Sequence, residues 1–176
     1  MAPGLPPIGA EIPCSSLAIN TSLKVGNEVL NIDPRGGFKH RVDVNPDDPQ
    51  NSVVLRLIGF QYTADIPSEQ GGGTVTFEQR EVDDAPKARL TLVQQFPPKY
   101  DCSLDLDCSV TIERPGSEPL VVVPKDGPPM LIAKLTQYPP RGDLFQLQHP
   151  VDFVDPDKPD DIAVVLQKLP AKVGGL

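Results

Sequence analysis

Between Tyr100 and Ile112 apolar and polar residues alternate without interruption. Cys102, Leu104, Leu106, Cys108, Val110 and Ile112 share one phase, and Ser103, Asp105, Asp107, Ser109 and Thr111 the other. Successive side chains point to opposite faces only in an extended strand, so the segment predicts one β-strand with a buried face and a wet face. A strand buried on both faces would lack the polar partners, which makes the sheet antiparallel. The period recurs elsewhere: Phe38, His40, Val42 and Val44 oppose Lys39, Arg41 and Asp43, and Leu90, Leu92, Gln94 and Phe96 oppose Arg89, Thr91, Val93 and Gln95.

Extended segments are expected at about 16–25, 28–32, 38–44, 52–63, 73–82, 88–96, 100–113, 118–123, 130–136, 144–153 and 162–169. The last is ambiguous. Ile162, Val165, Leu166 and Leu169 fit helical spacing, and Pro170 would stop a helix, but the run Ile-Ala-Val-Val is β-branched, which favours a strand. Turn residues separate the segments at Asp33–Gly37, Asn45–Pro49, Gly71–Gly73, Pro115-Gly116, Lys125–Gly127 and Arg141–Asp143. The pattern predicts a single antiparallel β-sandwich over residues 14–176, of jelly-roll or immunoglobulin-like character, with a small closed β-barrel as the alternative, because both bury one strand face.

Residues 1–13 carry four of the prolines and read as a separate arm. Prolines lack the N–H that a central strand donates, so the arm is expected to stay extended, lying over its own sheet edge or clasping a neighbouring subunit. Across the chain 22 prolines stand mostly between the apolar runs, which stiffens the loops of a folded protein.

Net charge is −8, and the longest basic cluster is Lys39-His40-Arg41. That argues against nucleic acid and anionic membrane surfaces as partners. The sequence shows no secretory signal pattern and no membrane-spanning apolar run, so a cytoplasmic protein is expected. With no Trp, 3 Tyr and 6 Phe, the aromatic platforms of sugar- and base-stacking modules are scarce. Of the 3 cysteines, Cys102 and Cys108 lie six apart on one expected strand. That separates them by about 20 Å, against the roughly 7 Å a disulfide needs, so they read as small core residues.

Only His40 and His149 offer a base near neutral pH, and both fall on the apolar phase of their strands. They are the candidate catalytic or ligand-binding pair if the two faces line one cavity. No nucleophile motif accompanies them, and no cofactor fingerprint is present. Asp155, Asp157, Asp160 and Asp161 form the densest carboxylate run and are the candidate calcium ligands, without the EF-hand pattern; the loop from Asn45 to Asn51 offers a second oxygen-rich turn. Arg141-Gly142-Asp143 reads as ordinary turn chemistry. Two functions follow. The first is a non-catalytic interaction or assembly module that self-associates through its arm or a sheet edge. The alternative is a barrel binding a small apolar molecule, even a cofactor-free cyclase.

Overall fold

A computed structural model describes residues 4–80 and 87–175. The first three residues of the arm, and Glu81 and Val82 at the end of the segment expected at 73–82, lie outside the described residues. The chain is all-β and every strand pairing is antiparallel. The strands are β1 (Glu11–Leu17), β2 (Thr21–Val25), β3 (Glu28–Ile32), β4 (Arg35–Val44), β5 (Ser52–Asp65), β6 (Thr74–Gln79), β7 (Arg89–Gln94), β8 (Lys99–Asp105), β9 (Cys108–Glu113), β10 (Leu120–Pro124), β11 (Met130–Leu135), β12 (Asp143–Leu147), β13 (Val151–Val154), β14 (Ile162–Lys168) and β15 (Ala171–Val173). One short 3-10 turn, Ser68–Gln70, joins β5 to β6.

Of the two architectures that the alternation allows, the fold takes the closed barrel. Strands β5, β4, β1, β15, β12, β11, β8 and β7 follow one another, and β7 pairs back onto β5. The remaining strands run off the other half of β5 in the order β6, β9, β10, β13, β14, β2, β3. β5 is therefore forked. Its residues 52–54 pair with β7 and its residues 61–65 with β6, while β4 lies along its whole length. In the fork, Gln79 donates a side-chain hydrogen bond to Leu57 O at 2.8 Å, and Leu55 N donates to Ala88 O at 3.3 Å. These bonds meet backbone groups that would otherwise be unpaired. The open edge of β3 is met in the same way by the Gln70 amide, which accepts from Asn31 N and donates to Val29 O, while Arg114 forks onto the Glu28 carboxylate beside it.

The alternation from Tyr100 to Ile112 is real, but it belongs to two strands. Tyr100, Cys102, Leu104, Leu106, Cys108, Val110 and Ile112 are all buried. The chain leaves the barrel between β8 and β9, and the two linking residues, Leu106 and Asp107, preserve the parity. Because both parts of the sheet turn the same face to one continuous core, the phase survives the crossing. The segment expected at 144–153 likewise splits into β12 and β13 around Gln148-His149-Pro150, where proline ends strand pairing. Residues 162–169 are strand, in line with their β-branched run.

Two expectations are corrected. Asp33–Gly37 is not a turn: Gly36 and Gly37 lie inside β4. A Cβ on Gly36 would stand 1.9 Å from Gln61 O, and one on Gly37 2.6 Å from Cys14 O, so these glycines permit close approach of neighbouring strands. The arm also ends earlier than residue 13, since residues 11–13 open β1. Pro13 is tolerated there because it is paired with Lys39 of β4, whereas the β15 pairing begins only at Ser16.

Candidate functional site

The inward face of the barrel is apolar with a few polar groups set into it. β4 contributes Phe38 and His40, and β5 contributes Phe60 and Tyr62. Their rings form one cluster, with Phe38 5.3 Å from His40 edge-on and Phe60 4.9 Å from Tyr62. The other barrel strands turn a mixture of sizes to the core: Ile12, Cys14 and Ser16 on β1, Ala171 and Val173 on β15, Phe145 on β12, Leu131, Ala133 and Leu135 on β11, and Tyr100, Cys102 and Leu104 on β8.

Ser16 and Tyr62 hydrogen-bond to each other through their hydroxyls, from β1 to β5 across β4. The Tyr138 phenol lies close enough to the thiols of Cys102 and Cys14 to feel them. Burial first, and then those thiols, pushes its titration far up. Burial raises the Cys14 and Cys102 thiols as well, so all three groups are neutral in the folded protein near pH 7. The three cysteines are free.

Among the described residues three side chains, His40, Asp105 and Arg114, have a buried polar atom without a hydrogen-bond partner, and of these only His40 is buried as a whole. It is 1% exposed, and its Nε2 has no hydrogen-bond partner. Its register partners are Ile12 on β1 and Leu57 on β5. Burial lowers its pKa to about 4. Beside it the β4–β5 register shifts: Lys39 opposes Gly59 and His40 opposes Leu57, which leaves Ile58 as the extra residue of a bulge. Bulges of this kind re-aim a neighbouring side chain. A buried donor or acceptor with nothing to bond is costly, so such an atom calls for an explanation.

The mouth of the barrel at the β1 N-terminal end is covered. Around the eight-strand ring β1 and β8 are four steps apart in either direction, so they stand on opposite sides. Residues 4–10 bridge that gap. Gly9 N donates to Val42 O at 2.7 Å next to β1, and Tyr100 Oη on β8 donates to Gly4 O at 2.6 Å. Leu5 is buried between the two attachments. This part of the arm lies over its own chain. Replacing Tyr100 by phenylalanine is expected to cost about 1 kcal/mol and to loosen the segment. Hydrogen exchange would show this as faster exchange of the Gly9 amide with no change in β5 or β8, whereas an unaltered Gly9 amide would mean that the bond does not hold the strap.

His149 is not brought to His40. It is exposed in the β12–β13 loop, with Nδ1 3.0 Å from Pro150 O. The candidate calcium ligands are exposed or partly exposed in the β13–β14 loop. There Asp155 accepts a 2.9 Å hydrogen bond from Asp157 N. Asn45 and Asp48 likewise spend side-chain oxygens on Asp47 N and Asn51 N of their own loop. Among the described residues no three His, Cys, Asp or Glu side chains converge as a metal site would require. Asp143 accepts from Arg141 N at 2.7 Å, which is turn geometry. Sequence reasoning placed His40 on the buried phase of β4, where it lies. It missed the Ser16–Tyr62 pair, although Tyr62 follows Phe60 at strand spacing; nothing local marks Ser16 as inward.

The outer face of β7, β8, β11 and β12 carries a second feature, an open groove of about 540 Å³ lined by Thr91, Ser103, Ile132, Lys134, Leu144 and Gln146 among others. Ile132 and Leu144 are exposed apolar residues. Lys134 pairs with Asp101 at 2.9 Å on the same face.

No protein-family model matches the chain, and no curated protein matches it in sequence. Among solved structures it is similar to DynF from the dynemicin biosynthesis pathway of Micromonospora chersina, with a TM-score of 0.69 at 16% identity, covering 98% of this chain and 83% of that one. At that identity the likeness establishes a shared fold.

Proposed function

We propose that the barrel binds one small, mainly apolar molecule in its interior and holds it by a hydrogen bond to His40. The observation that carries this reading is the unpartnered Nε2 of a residue 1% exposed, on the inner face of a closed barrel. An eight-stranded barrel is wide enough either to be filled by its own side chains or to take one small ligand. The strap over the mouth keeps water from the interior. The shared fold with DynF, a protein of the dynemicin biosynthesis pathway, supports the reading. Binding then rests on removal of apolar surface from water, with a single polar contact setting the orientation.

Titration with the uncharged fluorophore N-phenyl-1-naphthylamine tests this. One saturable site per chain with blue-shifted emission is expected. Two residues report which face binds: Ala171 of β15 is fully buried on the core side, and Ile132 of β11 lines the outer groove. Ala171→Leu is expected to weaken the probe at least tenfold, and Ile132→Asp to leave it unchanged. The reverse order would place binding on the outer groove, and no saturable signal would remove the proposal.

A further inference from the structure

The barrel strands sort their charges completely by face. On β1, β4, β5 and β8 the ionic side chains are outward: Lys39 pairs with Glu11 at 2.8 Å, and Asp43 is held between Arg41 and Arg56 at 3.0 and 2.9 Å. Lys134 of β11 pairs with Asp101 of β8 in the same way. Among the described residues the polar groups of the inner face are hydroxyls, thiols and one imidazole: Ser16, Tyr62, Tyr100, Tyr138, Cys14, Cys102 and His40. Among the described residues none of the buried polar side chains is an acid, a lysine or an arginine.

A charged group entering such an interior loses its hydration and finds no counter-charge, which is the most costly form of burial. Could His40 supply the charge? Taking up a proton would place an imidazolium between Ile12 and Leu57, edge-on to Phe38, with no acidic side chain among the buried residues. The neutral ring, by contrast, can donate or accept one hydrogen bond at Nε2 according to its tautomer. That suits a hydroxyl, which can do either, and a carbonyl, which accepts.

We infer that the barrel's ligand is an uncharged apolar molecule bearing a hydroxyl or carbonyl group, bound through that group to His40 Nε2, and that the interior discriminates against carboxylates and amines of the same carbon skeleton. This rests on the barrel reading given above. It sharpens that reading from size and apolarity to charge class, and it makes charge exclusion a property of the whole inner wall.

Displacement of N-phenyl-1-naphthylamine from the full-length protein at pH 7.5 separates the two claims. 1-Octanol and 2-octanone are expected to displace the probe at concentrations at least tenfold below those needed for octanoate or octylammonium. In His40→Leu, with its fold verified by circular dichroism, the advantage of octanol over octane is expected to shrink at least fivefold. A protein that does not take up the probe would overturn the barrel reading and this inference together. Uptake of the probe with octanoate displacing as well as octanol would overturn the charge class alone. Preference for octanol that is identical in wild type and His40→Leu would remove His40 as the contact.

Discussion

Lowering the pH from 6.5 toward 4 is expected to take about 3 kcal/mol of folding stability from the protein through His40 alone. In the unfolded chain this histidine titrates near the ordinary 6.5 of an imidazole, and in the fold burial holds it at about 4. Between those values the unfolded state binds the extra proton, so stability falls as the pH falls; above about 6.5 the contribution is flat. The residues that face the ring, Ile12, Leu57 and Phe38, provide no charge that would soften the effect. Surface carboxylates also lose stability in acid. Asp43 is lowered by its hydrogen bond to Arg41 before the smaller help of Arg56, and Glu11 by Lys39. Those losses are common to wild type and His40→Leu and cancel in the comparison. Urea unfolding of both proteins at pH 7 and pH 4.5 would show the wild type losing more stability by most of that amount. Equal losses would mean that the imidazole already has a partner that stabilises its charge.

Gly36→Ala is expected to destabilise the fold by about 3 kcal/mol, at the upper end of what overpacking usually costs. The added methyl would sit 1.9 Å from Gln61 O, 2.9 Å from Gln61 C and 3.2 Å from Tyr62 Cα. These are backbone atoms, so no side-chain rotation relieves the clash, and β4 and β5 must part where β5 leaves the barrel for β6. Gly59→Ala is the control, because its methyl meets only Lys39 Cβ at an ordinary 3.7 Å. Its effect should stay within about 0.5 kcal/mol. Denaturant midpoints at constant slope measure both, and equal shifts would show that β5 yields freely at this point.

How much of this was legible beforehand can be judged from individual residues. Period-two patterning found the inward phase of β4, β7, β8 and β9, because a buried face leaves its mark on every second side chain. It placed His40 correctly for the same reason. It did not show that Tyr100–Ile112 is divided, since a two-residue link conserves parity and looks like continued strand. Gly36 and Gly37 read as a turn because sequence alone does not tell a glycine needed for a left-handed backbone from one needed for strand proximity. Barrel closure depends on β7 returning to β5, and no local pattern encodes that contact. The same is true of the strap. Its prolines announced an extended segment, while its course from β1 to β8 is set by the distant Tyr100 hydroxyl.

The strand order also has a consequence for how the molecule comes into being. Ser16 of β1 pairs with Val173 of β15, and Val25 of β2 pairs with Val164 of β14, so both the barrel and the outer strands are completed by residues far apart along the chain. Until Ile162–Val173 has left the ribosome, β1 and β2 present unsatisfied edges to everything around them. Such long-range pairing slows folding, because chain entropy is lost well before the contacts that compensate it form. The nascent protein therefore passes through a stage in which its first strands are made and its last are missing, and that is the stage at which holding chaperones would matter most to its yield.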